Sequence, residues 1–276
     1  MSELGPGRAP ERRRSAKLRL GGMALRNGLL VHGPTHWAAA VRAPDGSIHT
    51  ASGVKPRARR VESVPGVRGL ARLGEAFAVI PAVKRALPEA RLPFQDGGVL
   101  GVAAGSALAG SLLRRRMGGA GGDMVAAAAS LAPAMFALQG GELAAYHGVE
   151  HKAIAAYEQD SEDAGQAAKE HDRCGSNLVA PMLVANLTGA ALVRRLLEQP
   201  GPLAGAAVAL SSMAAAVEVF AWSERHAGTR LARALRRPGF ELQRAMGTRE
   251  PDERQLEVGR AALAEILRVE AGAQTQ

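Results

Sequence analysis

The stretch Val99-Leu100-Gly101-Val102-Ala103-Ala104-Gly105-Ser106-Ala107-Leu108-Ala109-Gly110-Ser111-Leu112-Leu113-Arg114-Arg115-Arg116 runs without a charge and then closes on three arginines. An apolar run of this length suits either a fully buried helix or a short membrane span whose terminal arginines reach the interface. The pattern recurs at residues 124–138, at 178–193 before Arg194 and Arg195, and at 203–217 before Glu218. Each run is near the lower length limit for a span. Four of them exceed what an ordinary soluble core of 276 residues requires. Gly101, Gly105 and Ala109 would let helices approach closely where no hydrophobic force drives them together. The reading is a mainly α, polytopic helical membrane protein with about four apolar helices. A soluble alanine-rich bundle is the alternative.

Working outward from these runs, the chain divides into four parts. Residues 1–20 are rich in Pro, Gly and Arg and read as a disordered basic arm; they contain no apolar run, so no cleaved signal peptide is expected. Residues 21–93 hold a small β-hairpin region, in which Pro44-Asp45-Gly46 forms the turn between 37–42 and 47–51. An amphipathic helix follows over 66–87, with a kink permitted at Pro81. Residues 94–224 form the apolar helical core, interrupted by a polar loop at 147–176. Residues 225–276 form an amphipathic helical region, with a helix opening after Thr248-Arg249-Glu250-Pro251-Asp252 and fraying beyond Glu270.

The chain carries 35 basic and 26 acidic residues, a net charge of +9, with 3% aromatic residues. The basic residues border the apolar runs instead of forming one stripe, and no aromatic platforms alternate with them. The lipid bilayer is therefore the expected partner, and nucleic acid is not. An even number of spans puts both termini and the 147–176 loop on one side, which the basic arm makes cytoplasmic. Arg114 and Arg194 would then lie outside, against that rule, which leaves room for re-entrant helices. One cysteine excludes an intrachain disulfide framework.

Chemistry concentrates in one polar cluster. On a helix, His147 and His151 stand four residues apart on one face, and Glu150 is within reach of the same point. His171 and Cys174 add a nitrogen and a thiolate before the third apolar run. Histidine and cysteine donors suit a divalent ion such as zinc, whereas magnesium or calcium prefers oxygen. Glu150 can ligate the ion, orient a histidine or accept a proton from water. The string His-x-x-Glu-His also occurs, inverted, among some metallopeptidases, but five positions alone carry little weight. Glu218, at the end of the fourth run, is costly there unless paired or functional. It and Glu158 are accessory candidates.

Several motifs resemble the YqhQ-like family of bacterial membrane proteins, the DUF1385 domain. Tyr146-His147-Gly148-Val149-Glu150-His151-Lys152-Ala153-Ile154, running on to Tyr157-Glu158, is similar to the family's YHGAEHKTI...YE signature. His171-Asp172-Arg173-Cys174-Gly175-Ser176 resembles HPRCGTS, with Asp172 in place of proline. Thr248-Arg249-Glu250-Pro251-Asp252 with Gln255-Leu256-Glu257-Val258 resembles TTREPDDSQLEVA. Gly21-Gly22-Met23-Ala24-Leu25-Arg26-Asn27-Gly28 resembles GGQAVIEG, with Met23 and Asn27 in place of a glutamine and a glutamate. The resemblance spans about residues 20–270. It implies several transmembrane helices and a metal-dependent activity, without identifying a reaction.

Two functions follow. One is a metal-dependent membrane enzyme, hydrolytic in type, with Glu150 as general base. The other is a non-catalytic membrane protein whose metal fixes the central loop for assembly, sensing, or contact with a protein partner or a second copy. A weaker third reading makes the basic arm and the arginines at 57–60 a nucleic-acid contact. Four donors from His147, His151, His171 and Cys174 would close the site; three would leave a position open for chemistry.

Overall fold

Four antiparallel strands in chain order open the structure: β1 (Gly21–Leu25), β2 (Gly28–His32), β3 (His36–Arg42) and β4 (Ile48–Val54). The computed structural model describes residues 17–56, 66–139, 141–161, 163–198 and 200–274. Residues 1–16 of the basic arm and the arginines at 57–60 lie outside them. The predicted hairpin is present as β3 and β4, with Arg42 opposite Ile48. A second hairpin, β1 with β2, turns at Arg26-Asn27 and extends it into a sheet.

Alternation sorts the sheet's side chains. Leu29, Val31, Ala38 and Ala40 face two long helices, α6 (Glu142–Gln159) and α10 (Glu253–Gln274). Leu30, Trp37, Ala39 and Val41 face Val79, Val83 and Leu87 around α2 (Ile80–Ala86). The central strand is covered on both faces, so Ala38, Ala39 and Ala40, weak strand formers, sit fully buried where larger side chains would collide. The amphipathic segment is two helices, α1 (Arg68–Ala78) and α2, broken at Val79, with Pro81 in the first turn of α2 where its missing N–H costs nothing.

Residues 17–20, grouped by composition with the arm, are docked on the end of α6. Lys17 donates to the Tyr157 and Glu158 carbonyls, the Leu18 N–H donates to the Tyr157 hydroxyl, and Leu20 is buried. Helix α10 opens on a reciprocal pair in which the Gln255 N–H donates to Asp252 and the Asp252 N–H donates to the Gln255 side chain. The helix continues past the expected fraying point. Glu270 is buried and accepts hydrogen bonds of 2.7 Å from the Thr35 and His36 N–H groups and from the Thr35 hydroxyl, which closes the β2–β3 turn.

Two helical hairpins carry the apolar runs. Helix α3 (Gly97–Met117) packs on α4 (Gly119–Ala129), which continues after a short break as α5 (Ala132–Gln139); α7 (Val179–Leu196) packs on α8 (Pro202–Arg225). Four segments are long and apolar enough to cross a membrane: Gly97–Met117, Gly119–Gln139, Gly175–Leu196 and Leu203–Arg225. Only 6% to 22% of their most apolar stretches is buried within the chain, so leucines such as Leu100, Leu108, Leu192 and Leu210 are left facing outward. An apolar surface of that extent belongs against lipid, and the chain is a multi-pass membrane protein. Close helix contact is made by Gly110 against Ala126 and by Gly122 against the Arg114 backbone. Gly101 and Gly105 have open space at the Cβ position, because their face of α3 turns away from α4. At the ends remote from the sheet, Asp123 pairs with Arg194 and lies 3.7 Å from Arg114, linking the two hairpins.

His32 is buried at the end of β2, and neither of its ring nitrogens has a partner among the described residues. Burial, with Lys55 nearby, holds its imidazole down to about 4. The folded state therefore excludes a proton that the unfolded chain binds below about pH 6.5. Stability present above that pH is expected to drop by about 3 kcal/mol as pH falls from about 6.5 to 4. Denaturant unfolding followed by the fluorescence of Trp37, the cross-strand neighbour of His32, checks this. His32→Leu should flatten the acid limb, and an unchanged pH profile in that variant would contradict the assignment.

Candidate metal centre

Helix α6 starts after Gly141, whose φ of 80° suits glycine, and ends at Asp160 in the left-handed region. Residues 143–156 are buried almost all round, between the sheet, α10 and the end of α5. Two glycines permit that packing. A Cβ on Gly148 would lie 2.3 Å from the Arg249 carbonyl oxygen, and one on Gly259 of α10 would lie 2.3 Å from Val149 Cγ1. Lys152, buried beside them, donates 2.8 Å bonds to the Gly165 and Ala167 carbonyls and pairs with Glu250 at 2.7 Å. It pins the polar loop onto α6.

His147 and His151 project from one face of α6 with ring centroids 4.4 Å apart. His147 Nδ1 lies 2.7 Å from the Gly247 carbonyl oxygen, and His151 Nδ1 lies 2.6 Å from that of Lys169. A carbonyl only accepts, so both Nδ1 atoms carry the proton and both Nε2 atoms keep a lone pair. This is the arrangement that orients a ligating imidazole. His147 Nε2 is 3.3 Å from Cys174 Sγ, and His151 Nε2 is buried without a partner among the described residues. One donor atom from each of His147, His151 and Cys174 falls in a group whose members all lie within 4.8 Å of one another. Zinc at about 2.0–2.1 Å from nitrogen and 2.3 Å from sulfur sets tetrahedral donors about 3.3–3.7 Å apart, so small side-chain rotations close the set. The residues therefore fit such an ion.

The turn at 171–174 is held by Gln243, fully buried, which accepts from the His171 N–H at 2.8 Å and donates to Ser176 Oγ at 2.9 Å. Gln243 begins a single π turn, Gln243–Gly247, at the end of α9 (Arg230–Leu242), and the last residue of that turn supplies the carbonyl to His147. Backbone direction in the 171–174 turn sends Cys174 inward. His171 stays at the rim, its ring 5.8 Å from that of His151. Its Nδ1 accepts the Arg173 N–H, and its Nε2 lies 3.4 Å from Glu158. Glu158 also pairs with Arg173. Glu218 lies elsewhere on α8, accepting the Gly66 N–H at the start of α1.

Glu150 sits between this group and the sheet. A Cβ on Gly22 would be 2.7 Å from its Cδ, so the bare glycine of β1 makes room for the carboxylate and turns its N–H toward it. Burial pushes the Glu150 carboxyl up to about 7, against the pull of His147, with Cys174 adding to the rise. Burial also takes the His151 imidazole down to about 3, with His147 contributing, and raises the Cys174 thiol against hydrogen bonds from Ser176. A neutral imidazole is the ligating form, and a bound cation would draw the thiol to thiolate. The four residues open into a cavity of about 470 Å³ that is also lined by β1, by Ala134, Ala137 and Leu138 of α5, and by His171 and Arg173.

Sequence reasoning missed Gln243, the Gly247 and Lys169 carbonyls, and the clearance at Gly22, Gly148 and Gly259. Backbone carbonyls leave no residue-type signal. Gly22 and Gly148 stand out only as members of motifs, and Gly259 lies just past the end of one.

Comparison with known proteins adds one match. Residues 142–269 match the family described as "Protein of unknown function (DUF1385)", a span that begins at the first residue of α6 and contains all three donors. No curated protein and no solved structure matches the chain.

Proposed function

We propose that this chain, which carries a DUF1385 domain at residues 142–269, holds a divalent metal ion through His147, His151 and Cys174 at the membrane surface and uses it for hydrolysis. The observation that carries the proposal is the convergence of three donors, both imidazoles already fixed through Nδ1, on the wall of a cavity that Glu150 also enters. When bound, such an ion would supply Lewis acidity toward water or a substrate carbonyl oxygen. His147 and His151 would hold it in an orientation fixed by their Nδ1 hydrogen bonds. Glu150, which enters the same cavity, would take a proton from water and return it to the leaving group. Zinc is the proposed ion, from its preference for this donor set.

A second reading rests on the donors alone. They join α6 to the 169–174 turn and the Gly247 turn, so an ion would staple three segments together as a structural or sensing device. The cobalt(II)-substituted protein separates the two. An open position predicts that azide or a small hydroxamate shifts its visible spectrum; a spectrum unchanged at saturating anion would leave only the staple.

The side bearing the sheet, α6, α9 and α10 is proposed to be cytoplasmic, since Lys17, Arg19 and the arginines from 225 to 237 gather there. In this arrangement Pro200→Cys, in the loop between α7 and α8, is expected to react with an impermeant maleimide from outside intact cells, and Gln274→Cys only after lysis. The reverse pattern would invert the assignment.

A further inference from the structure

Strand β1 forms one edge of the sheet. Leu25 and Gly28 close a two-residue turn, which makes 25 with 28, 23 with 30 and 21 with 32 the hydrogen-bonded pairs of the hairpin. The N–H and C=O groups of Gly22 and Ala24 therefore point off the edge. The Gly22 N–H meets Glu150. The Gly22 carbonyl and both polar groups of Ala24 have no partner among the described residues. Exposed edges are commonly blunted by charge, proline or a bulge, but Gly-Gly-Met-Ala-Leu has none of these. Gly21 has open space where a side chain would stand.

This bare edge lines the cavity that the three donors enter. We infer that the cavity's ligand is an extended polypeptide segment that adds to β1 as a fifth strand. A peptide strand offers donors and acceptors at the same two-residue repeat as Ala24 and Gly22, whereas a lipid headgroup or a sugar does not. Pairing through the Ala24 N–H and C=O and the Gly22 carbonyl, with the Gly22 N–H left on Glu150, brings the segment into the cavity that the Glu150 carboxylate and the donor group share. Ala134, Ala137 and Leu138, at the end of the span Gly119–Gln139, line the same cavity, with His171 and Arg173 on its polar side, so the segment lies at the membrane surface. The fitting partner is a polypeptide emerging from the bilayer.

The inference deepens the hydrolytic reading and rests on it for the fate of the peptide, while strand pairing depends on β1 alone. In the reaction, water adds its oxygen to the amide carbonyl carbon and the C–N bond breaks. One proton of the water passes through Glu150 to the departing nitrogen, and the other leaves the new carboxylic acid for the free amine, so the products are a carboxylate and an ammonium group.

The test uses the full chain in lipid nanodiscs with Glu150→Gln, so that binding is read without turnover. The probe is an end-capped decapeptide of alternating alanine and threonine, beside the same peptide N-methylated at alternate residues. The first is expected to slow hydrogen exchange of the Ala24 amide at least tenfold, and the N-methylated peptide to leave it unchanged. Ala24→Pro removes only an outward N–H, which an edge strand tolerates; it should weaken peptide binding at least tenfold while circular dichroism and metal content hold. Equal protection by both peptides would overturn the inference. So would protection by short-chain phospholipid in place of peptide, or protection that tracks dimerisation without peptide. Protection of Ala24 with no turnover by the unsubstituted protein upholds the strand and removes hydrolysis. Ester turnover without protection of Ala24 does the reverse.

Discussion

Gly148→Val is expected to disrupt the centre without touching a donor. The new Cβ would stand 2.3 Å from the Arg249 carbonyl oxygen, a backbone atom that no side-chain rotation can move aside. The Arg249 N–H donates to the Ala144 carbonyl at 2.9 Å, so this segment is tied to α6 on both sides of the clash. Forcing it away breaks that bond and carries off Thr248 and Gly247, whose carbonyl fixes His147. Overpacking of a buried contact costs about 1–3 kcal/mol, and a lost buried backbone bond adds about 1–3 more. The expected result is a loss of roughly 2–6 kcal/mol together with weaker metal binding. Thermal unfolding in detergent, run with and without zinc, checks both parts. Gly148→Ala should show the same effect, because the clash begins at Cβ. Wild-type stability in either variant would show that α6 and the Arg249 segment are not in the contact described.

The second large effect concerns the donors. Structural zinc is bound with about 10–16 kcal/mol in sites of four protein donors, or roughly 2.5–4 kcal/mol per donor. At 1.4 kcal/mol per decade, removing one of three is expected to lower affinity by about 10²–10³-fold. His151→Ala should lie at the upper end, since its Nε2 has no other partner among the described residues. His171→Ala should fall well below that range, because its ring nitrogens face Arg173 and Glu158. Competition against a chromophoric chelator measures all of these.

Much of this architecture is legible in the sequence, for physical reasons that differ by element. The apolar runs announce themselves because lipid admits few charges, and the structure returns them as α3, α4 with α5, α7 and α8. The i, i+4 spacing of His147 and His151 needs only a helix to place both rings together, and α6 provides it. The β1–β2 hairpin was hidden because Gly21 and Gly22 are poor strand formers; their value lies in what they admit, Glu150 on one side and an open edge on the other. Asn27 has its own reason to be there. Its amide donates to the Arg42 and Glu89 carbonyls and accepts the Arg91 N–H, bracing the β1–β2 turn. Sequence proximity grouped His171 with Cys174, yet a four-residue turn can aim only some of its side chains inward, and which ones depends on Gln243, far along the chain.

The central claim, one divalent ion held by His147, His151 and Cys174, is tested most directly by elemental analysis of the detergent-purified protein. The expected result is one zinc per chain in the unsubstituted protein and in His171→Ala, and less than about a tenth of that in His147→Ala, His151→Ala and Cys174→Ala. Unchanged metal content in Cys174→Ala and His147→Ala, with both variants folded, would contradict it.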